Sequence, residues 1–269
     1  MRIEIDHSLT FSLPPDTAQL VMHLLLTPAS GPSQTVESWS IEAAGIGNAG
    51  RFRDGYGNAA HLVNQTRPDG EMRVVGRGVV RTTDTNGVLG RKLPGEPVPT
   101  LYKRVTALTR APVTLYGKFR SAKDNRLDVL HGLMARVGET LGLAEEAEPA
   151  TQMQATGEQT QRQSAEPDSN LPPTIDYVHL FVGGARALDI PARFVCGYLA
   201  PGDGMAGGLH AWAEAYDDKL GWIGFDAQNQ VCPTERYVRL AVGLDADSAL
   251  PLRTVPIGEI VQEAAVKPA

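Results

Sequence analysis

Apolar and polar residues alternate one for one at the start of the chain, Met1-Arg2-Ile3-Glu4-Ile5-Asp6-His7. A period of two predicts a strand with one buried face. Similar short runs occupy 2–13, 18–26, 36–43, 59–63 and 72–82, separated by Pro14-Pro15, Ser30-Gly31-Pro32, Asp54-Gly55-Tyr56-Gly57-Asn58 and Pro68-Asp69-Gly70. Strand-like runs punctuated by turn residues in this way predict an antiparallel, all-β N-terminal domain.

The pattern changes after a proline-rich boundary at 94–99. Over 124–143, Leu127, Val129, Leu130, Leu133, Met134, Val137 and Leu141 recur at helical spacing, with Asp124 or Asn125 placed to cap the helix. The stretch 174–186 carries apolar residues on more than one helical face, as a helix enclosed in a core does. Runs at 190–199, 209–216, 222–225 and 236–242 then predict strands. The expected fold class is α+β: a β domain over 1–95, and over 96–269 a central helix laid against an antiparallel sheet. Between the two helices, 144–173 is Glu, Gln, Ala, Ser, Thr and Pro almost without large apolar residues. Such a composition buries too little surface to offset the entropy of ordering, so a mobile insertion is expected, with a short exposed helix near 153–163. A lid and a plain connector are both open readings of it.

Composition narrows the function classes. With 269 residues, 42% of them hydrophobic, the chain has enough apolar material for ordinary buried cores. A formal net charge of -6 provides no field for phosphates, and no Lys/Arg cluster is interleaved with aromatics, which argues against nucleic-acid binding. No apolar run approaches the roughly 20 residues that span a bilayer, and the N-terminus reads as a strand rather than a signal peptide, so the expectation is a cytoplasmic protein without a membrane partner. Cys196 and Cys232, the two cysteines, fit neither a disulfide scaffold nor a zinc pattern and are read as reduced.

The candidate chemistry lies in the second half. Ala185 to Leu199 runs from a helix through Ile190-Pro191-Ala192-Arg193 into a strand; His210-Ala211-Trp212, Gly221-Trp222 with Asp226, and Cys232-Pro233-Thr234-Glu235-Arg236-Tyr237-Val238-Arg239-Leu240-Ala241-Val242-Gly243 follow. Together these segments resemble the core of the bacterial transglutaminase-like, cysteine-protease-like family. The turns at 54–58 and 82–88 resemble those of the sheet domain that precedes that core. The resemblance implies a papain-like transglutaminase core and acyl-transfer chemistry, in which a thiolate at the start of the buried helix attacks an amide, a His carries the proton and an Asp fixes the imidazole. It places the nucleophile position at Thr174, the His at His210 and the Asp at Asp226. The glutamine that follows the nucleophile in the family is Ile175 here, and the proline after the Asp is Ala227.

A threonine hydroxyl does not form a Cys–His ion pair, since a helix dipole worth about 0.3–1 kcal/mol does not bring its pKa into range. The plainer reading of Thr174 is an N-cap. Thr174 freed as an N-terminal residue by cleavage after Pro173, Cys196 on the following strand, or Cys232 would each supply a displaced nucleophile. The plainer readings of His210 and Asp226 are a polar-pocket hydrogen bond and the closing of a turn. His179 reads as a core residue, and Trp212 and Trp222 as packing rather than the floor of a cleft. A metal shared by His210, Asp226 and His179 lacks the short spacing of a strong site. No cofactor is implied.

Two function classes result, beside a purely structural reading that needs the cleft to be filled by its own side chains. One is a non-catalytic member of the family that binds a peptide, an amide-bearing ligand or a protein; the other is an active amide hydrolase or acyltransferase with a displaced nucleophile. The resemblance also implies partners of the ATP-grasp type, or intact transglutaminase-like relatives, in a peptide-modifying assembly.

Overall fold

The computed structural model of the chain describes residues 1–91, 95–121, 125–147, 174–202 and 204–269. The N-terminal region supplies β1 (Arg2–Ser12), β2 (Gln19–Thr27), β3 (Gln34–Ala43), β4 (Gly50–Arg53), β5 (Ala59–Thr66) and β6 (Glu71–Thr82), and β7 (Val88–Gly90) follows. Among the described residues three α-helices come next, α1 (Val113–Tyr116), α2 (Arg126–Ala147) and α3 (Ile175–Ala187). Strands β8 (Ala192–Leu199), β9 (Gly208–Asp217), β10 (Gly221–Phe225), β11 (Tyr237–Gly243), β12 (Leu252–Val255) and β13 (Ile260–Pro268) complete the chain.

These strands form three antiparallel sheets, in the orders β13-β1-β6-β3, β12-β2-β5-β4 and β11-β8-β9-β10-β7. The alternation in β1 works as expected: Ile3, Ile5, His7, Leu9 and Phe11 all point inward. The sheets do not divide where the sequence does. β7, from within 1–95, joins the sheet of the second half, while β12 and β13, from within 96–269, pair with β2 and β1. Strand periodicity sets which face of a strand is buried, not which strand it pairs with, so this return of the C-terminus had no local signal.

The expected helix at 124–143 is α2, and Asn125 is its cap: Asn125 Oδ1 accepts the Leu127 N–H at 3.1 Å. Asp124 lies outside the described residues, as do 148–173, and with them the expected mobile insertion, the helix near 153–163 and the lid reading. Residues 144–147 continue α2.

α3 is enclosed on several sides, as its apolar pattern requires. Val178, Phe181, Val182 and Ala185 pack into the core shared with β8 and β9. Gly183 and Gly184 each cost helix propensity, about 1 kcal/mol relative to Ala. Their place is set by close approach: a Cβ on Gly183 would meet the Thr109 carbonyl, and one on Gly184 would lie 2.8 Å from Leu133 of α2. Arg186 at the last turn pins the surroundings. Its guanidinium donates to the carbonyls of Tyr102, Ala192 and Leu244 and to the Thr109 hydroxyl, at 2.7–3.0 Å.

Strand β11 lies at the edge of its sheet, and side-chain amides from the N-terminal region close that edge. Gln34 exchanges two hydrogen bonds with the backbone of Arg239, at 2.7 and 2.8 Å, and Asn58 does the same with Val242, at 2.9 and 2.8 Å. Each amide stands in for a missing strand partner, which both blunts the edge and fixes the N-terminal sheets against the core.

Candidate active site

Strand β9 carries the polar groups of the second half on one face, because period two places His210, Trp212 and Glu214 together while Ala211, Ala213 and Ala215 face the helix side. β10 ends at Phe225, and the chain turns at once: Asp226 and Val231 pair backbone to backbone, and Asp226 Oδ1 accepts the N–H groups of Gln228 and Asn229 at 3.1 Å. Asp226 therefore does close a turn. Its other oxygen does more.

Asp226 Oδ2 receives three donors: His210 Nε2 at 2.6 Å, the Tyr237 hydroxyl at 2.8 Å and Asn229 Nδ2 at 2.8 Å. Burial by itself would raise the Asp226 pKa, but the hydrogen bond and charge of His210, with the Asn229 N–H and the Tyr237 hydroxyl, outweigh it and hold the carboxyl below its ordinary value. Burial, then the facing Asp226 charge, push the Tyr237 phenol up, so it stays a donor. Since all three partners donate to an ionised oxygen, the proton of neutral His210 sits on Nε2 and Nδ1 keeps its lone pair. Nδ1 has no hydrogen-bond partner among the described residues. Trp212 stacks on the imidazole with ring centroids 6.3 Å apart, and Tyr237 meets it edge-on at 5.7 Å.

Thr174 immediately precedes α3 and is buried. It stands at the N-cap position, as expected, but its side chain makes no capping bond to the helix. Instead the hydroxyl accepts the Ala211 N–H at 3.0 Å and donates to the Ala211 carbonyl at 3.1 Å. Thr174 and His210 line one shallow cleft of about 290 Å³, with Leu199, Leu209, Gln228, Asn229 and the glycine-rich stretch 204–208 as its other walls. A larger hollow of about 780 Å³ lies around Asp189 and Lys219, at the opposite end of α3. That hollow lacks the buried Asp–His pairing that gives the smaller cleft its chemistry.

The other sequence candidates lie elsewhere. Cys196 is buried in the core below α3, where burial pushes its thiol up to about 12. Cys232 packs beside Gly87, and burial raises its pKa too. Neither sulfur hydrogen-bonds to His210, and both cysteines are free. His179 is a core residue whose Nε2 accepts the Ala246 N–H at 3.1 Å; it does not join His210 and Asp226. Among the described residues no group of His, Cys, Asp and Glu gathers to hold a metal ion, and no helix is long and apolar enough to cross a membrane.

Sequence reasoning passed over Tyr237 and Asn229 as site residues. Asn229 stands three residues from Asp226, a spacing that allows an Asx-type contact, whereas Tyr237 reaches Asp226 from a different strand. It also passed over a second polar cluster. Arg193 lies 2.6 Å from Glu214 and 3.1 Å from Glu96, and Arg239 lies 3.1 Å from Glu214 and 2.8 Å from Glu96. The Arg193 guanidinium sits 3.9 Å above the Trp222 ring. This is where Trp222 is used, as packing over a buried cation.

Comparison with known proteins agrees with this architecture. Residues 160–227 match the model of the transglutaminase-like superfamily, and residues 3–81 match that of the bacterial transglutaminase-like N-terminal region. Uncharacterized protein ML0607 of Mycobacterium leprae (strain TN) is 36% identical over 89 residues, a match that spans 31% of this chain and 31% of that protein. A crystal structure from Cytophaga hutchinsonii, described as that of a candidate cysteine protease, superposes with a TM-score of 0.64 at 19% identity over 99% of this chain and 89% of that one. The chain thus has an α+β fold, with a transglutaminase-like core following a region like the bacterial transglutaminase-like N-terminal one.

Proposed function

We propose that the cleft binds a peptide or another amide-bearing segment without cleaving or transferring it. The observation that carries this reading is the state of Thr174. By the family resemblance Thr174 holds the nucleophile position, yet its hydroxyl is committed in both directions to the Ala211 backbone and makes no hydrogen bond to His210. Nucleophilic catalysis needs the attacking group within reach of its base. The His210–Asp226 pair remains, with an imidazole acceptor left over for a ligand N–H. The two cysteines do not replace the nucleophile, because thiols with raised pKa away from the imidazole are poor sources of thiolate. In this reading the partners are those the resemblance implied: peptide, ATP-grasp-type proteins or intact transglutaminase-like relatives.

The test compares the native protein with Thr174→Cys, each treated with iodoacetamide at graded pH and offered glutamine-containing peptides. The native chain should bind such peptides by calorimetry and leave them intact, and Thr174→Cys should acquire an alkylation limb well below the ordinary thiol range. Turnover by the native protein, or rapid low-pH labelling of Cys196 or Cys232, sinks the reading.

A further inference from the structure

Ahead of α2 the chain changes charge. Residues 97–121 contain Lys103, Arg104, Arg110, Lys118 and Arg120 and not one Asp or Glu, in a protein whose formal net charge is -6. Three of these cations are engaged locally: Lys103 pairs with Asp189 at 2.8 Å, Lys118 lies over the Phe119 ring, and Arg120 donates to the Tyr116 hydroxyl at 3.2 Å. Arg104 and Arg110 are exposed, and their side chains enter no ion pair or hydrogen bond among the described residues.

Arg104 lies on, and Arg110 directly after, a short loop whose two ends are clamped. Those ends, Tyr102 and Thr109, are buried, and the Arg186 guanidinium of α3 grips both: Nε donates to the Tyr102 carbonyl and Nη1 to the Thr109 hydroxyl, each at 2.9 Å. Inside the loop the Thr106 N–H donates to the same hydroxyl at 3.0 Å, and the Thr109 N–H donates to the Thr106 carbonyl at 3.3 Å. With its ends held and a turn built in, the loop has little conformational freedom left to lose when something binds it. Its outer surface is both apolar and basic: Val105 is 50% exposed and Leu108 43%, between the two arginines in the chain.

An aliphatic pair between two unpaired guanidinium groups suits an acidic segment of another protein, because guanidinium groups take carboxylates bidentately and arginine is a frequent anchor of protein interfaces. A nucleic acid or an anionic membrane needs a wider field. Two free cations neutralise too few phosphates or lipid headgroups to offset the repulsion from a chain of charge -6. An acidic protein segment is repelled on average by the rest of this surface as well, and that repulsion fixes where a short segment lands.

We propose that residues 102–110 form a docking loop for an acidic, leucine-bearing segment of a partner protein, with carboxylates on Arg104 and Arg110 and an aliphatic side chain over Val105 and Leu108. Its clamp, Arg186, stands in the last turn of α3, about 18 Å along the helix from Thr174. The surface is therefore separate from the cleft and does not rest on the proposed function.

The probe is rhodamine-labelled Gly-Asp-Glu-Leu-Asp-Glu-Leu-Gly-amide, followed by fluorescence anisotropy. It binds the native protein, about tenfold or more weakly when Arg104→Glu and Arg110→Glu are combined, severalfold more weakly when Val105→Ser and Leu108→Ser are combined, and progressively more weakly from about 50 to 300 mM salt. Since neither arginine side chain makes a bond, the charge-reversed variant keeps the native urea midpoint; a clear fall in that midpoint makes the arginines part of the fold and overturns the proposal. Binding that survives charge reversal overturns it, and so does displacement of the probe by glutamine-containing peptides, which places the probe in the cleft. Failure of the probe to bind overturns it too, and sedimentation of the native protein with phosphatidylglycerol vesicles, lost in the charge-reversed variant, then assigns the loop to a membrane.

Discussion

His210 and Glu214 sit four residues apart on the same face of β9, and each makes a short contact with a buried partner of opposite tendency, Asp226 or Arg193. The two clusters are finished differently. Around Glu214, two guanidinium groups and two carboxylates enclose one another under Trp222 and Tyr102, and the Arg193 and Glu214 side chains have no exposed surface. Around His210 everything is closed on the Asp226 side, while the ring borders a cleft on the other. A closed cluster can only hold the fold together. One whose ring borders a cleft can take a ligand, so access, rather than burial, charge or completed hydrogen bonds, separates structure from function here: buried atoms of the other cluster, such as Arg193 Nη2, also lack hydrogen-bond partners, but the Arg193 and Glu214 side chains are sealed from any ligand.

The contrast breaks most easily at the closed cluster. Arg193→Ala leaves two carboxylates buried without their central cation and should cost about 3–5 kcal/mol of unfolding free energy by urea titration. A loss below about 1 kcal/mol would show that water enters the cluster and that it is not closed.

A third polar site offers the next largest effect. His7 lies in the apolar row of β1, with Nδ1 3.0 Å from the Tyr198 hydroxyl and Nε2 3.2 Å from Gln262. Burial holds its pKa down to about 4, against smaller opposing contributions from the Gln262 hydrogen bond and the Asp6 charge. Between pH 6.5 and about 4 the unfolded chain therefore binds the extra proton and the native one does not. Stability is full above that window and falls as pH drops through it, by about 3 kcal/mol for one such group. Urea midpoints over this range should show the slope in the native protein and its flattening in His7→Leu.

Asp226→Asn sharpens the difference from the other side. It should cost about 1.5–3 kcal/mol in stability, as for hydrogen bonds to a charged group. Its larger consequence is chemical: an amide that also donates no longer dictates the imidazole tautomer. In a Thr174→Cys background the low-pH alkylation limb should disappear. If alkylation persisted unchanged, Asp226 would be a turn residue only. Tyr237→Phe keeps the ring against His210 and Trp212 and removes one of three donors to Asp226 Oδ2, so the smallest loss, about 1 kcal/mol, is expected there. Nitrogen-15 shifts of the His210 ring would show whether the tautomer survives it.

Much of this was legible in the chain. The alternation of β1, the two-faced apolar pattern of α3 and the unbroken burial of β8 follow from local periodicity, and the segments around His210 and Asp226 carry a motif specific enough to point to each other. Periodicity works because the pleat and the helical turn fix where each side chain points before any partner arrives. Four matters were decided only by the tertiary structure: the return of β12 and β13 to the N-terminal sheets, Tyr237 reaching Asp226, Gln34 and Asn58 closing the edge of β11, and Thr174 spending its hydroxyl on Ala211 rather than on its own helix. Each depends on which groups meet across the fold, and a polar side chain takes whichever unpaired donor or acceptor packing brings within reach, a choice that spacing along the sequence does not encode.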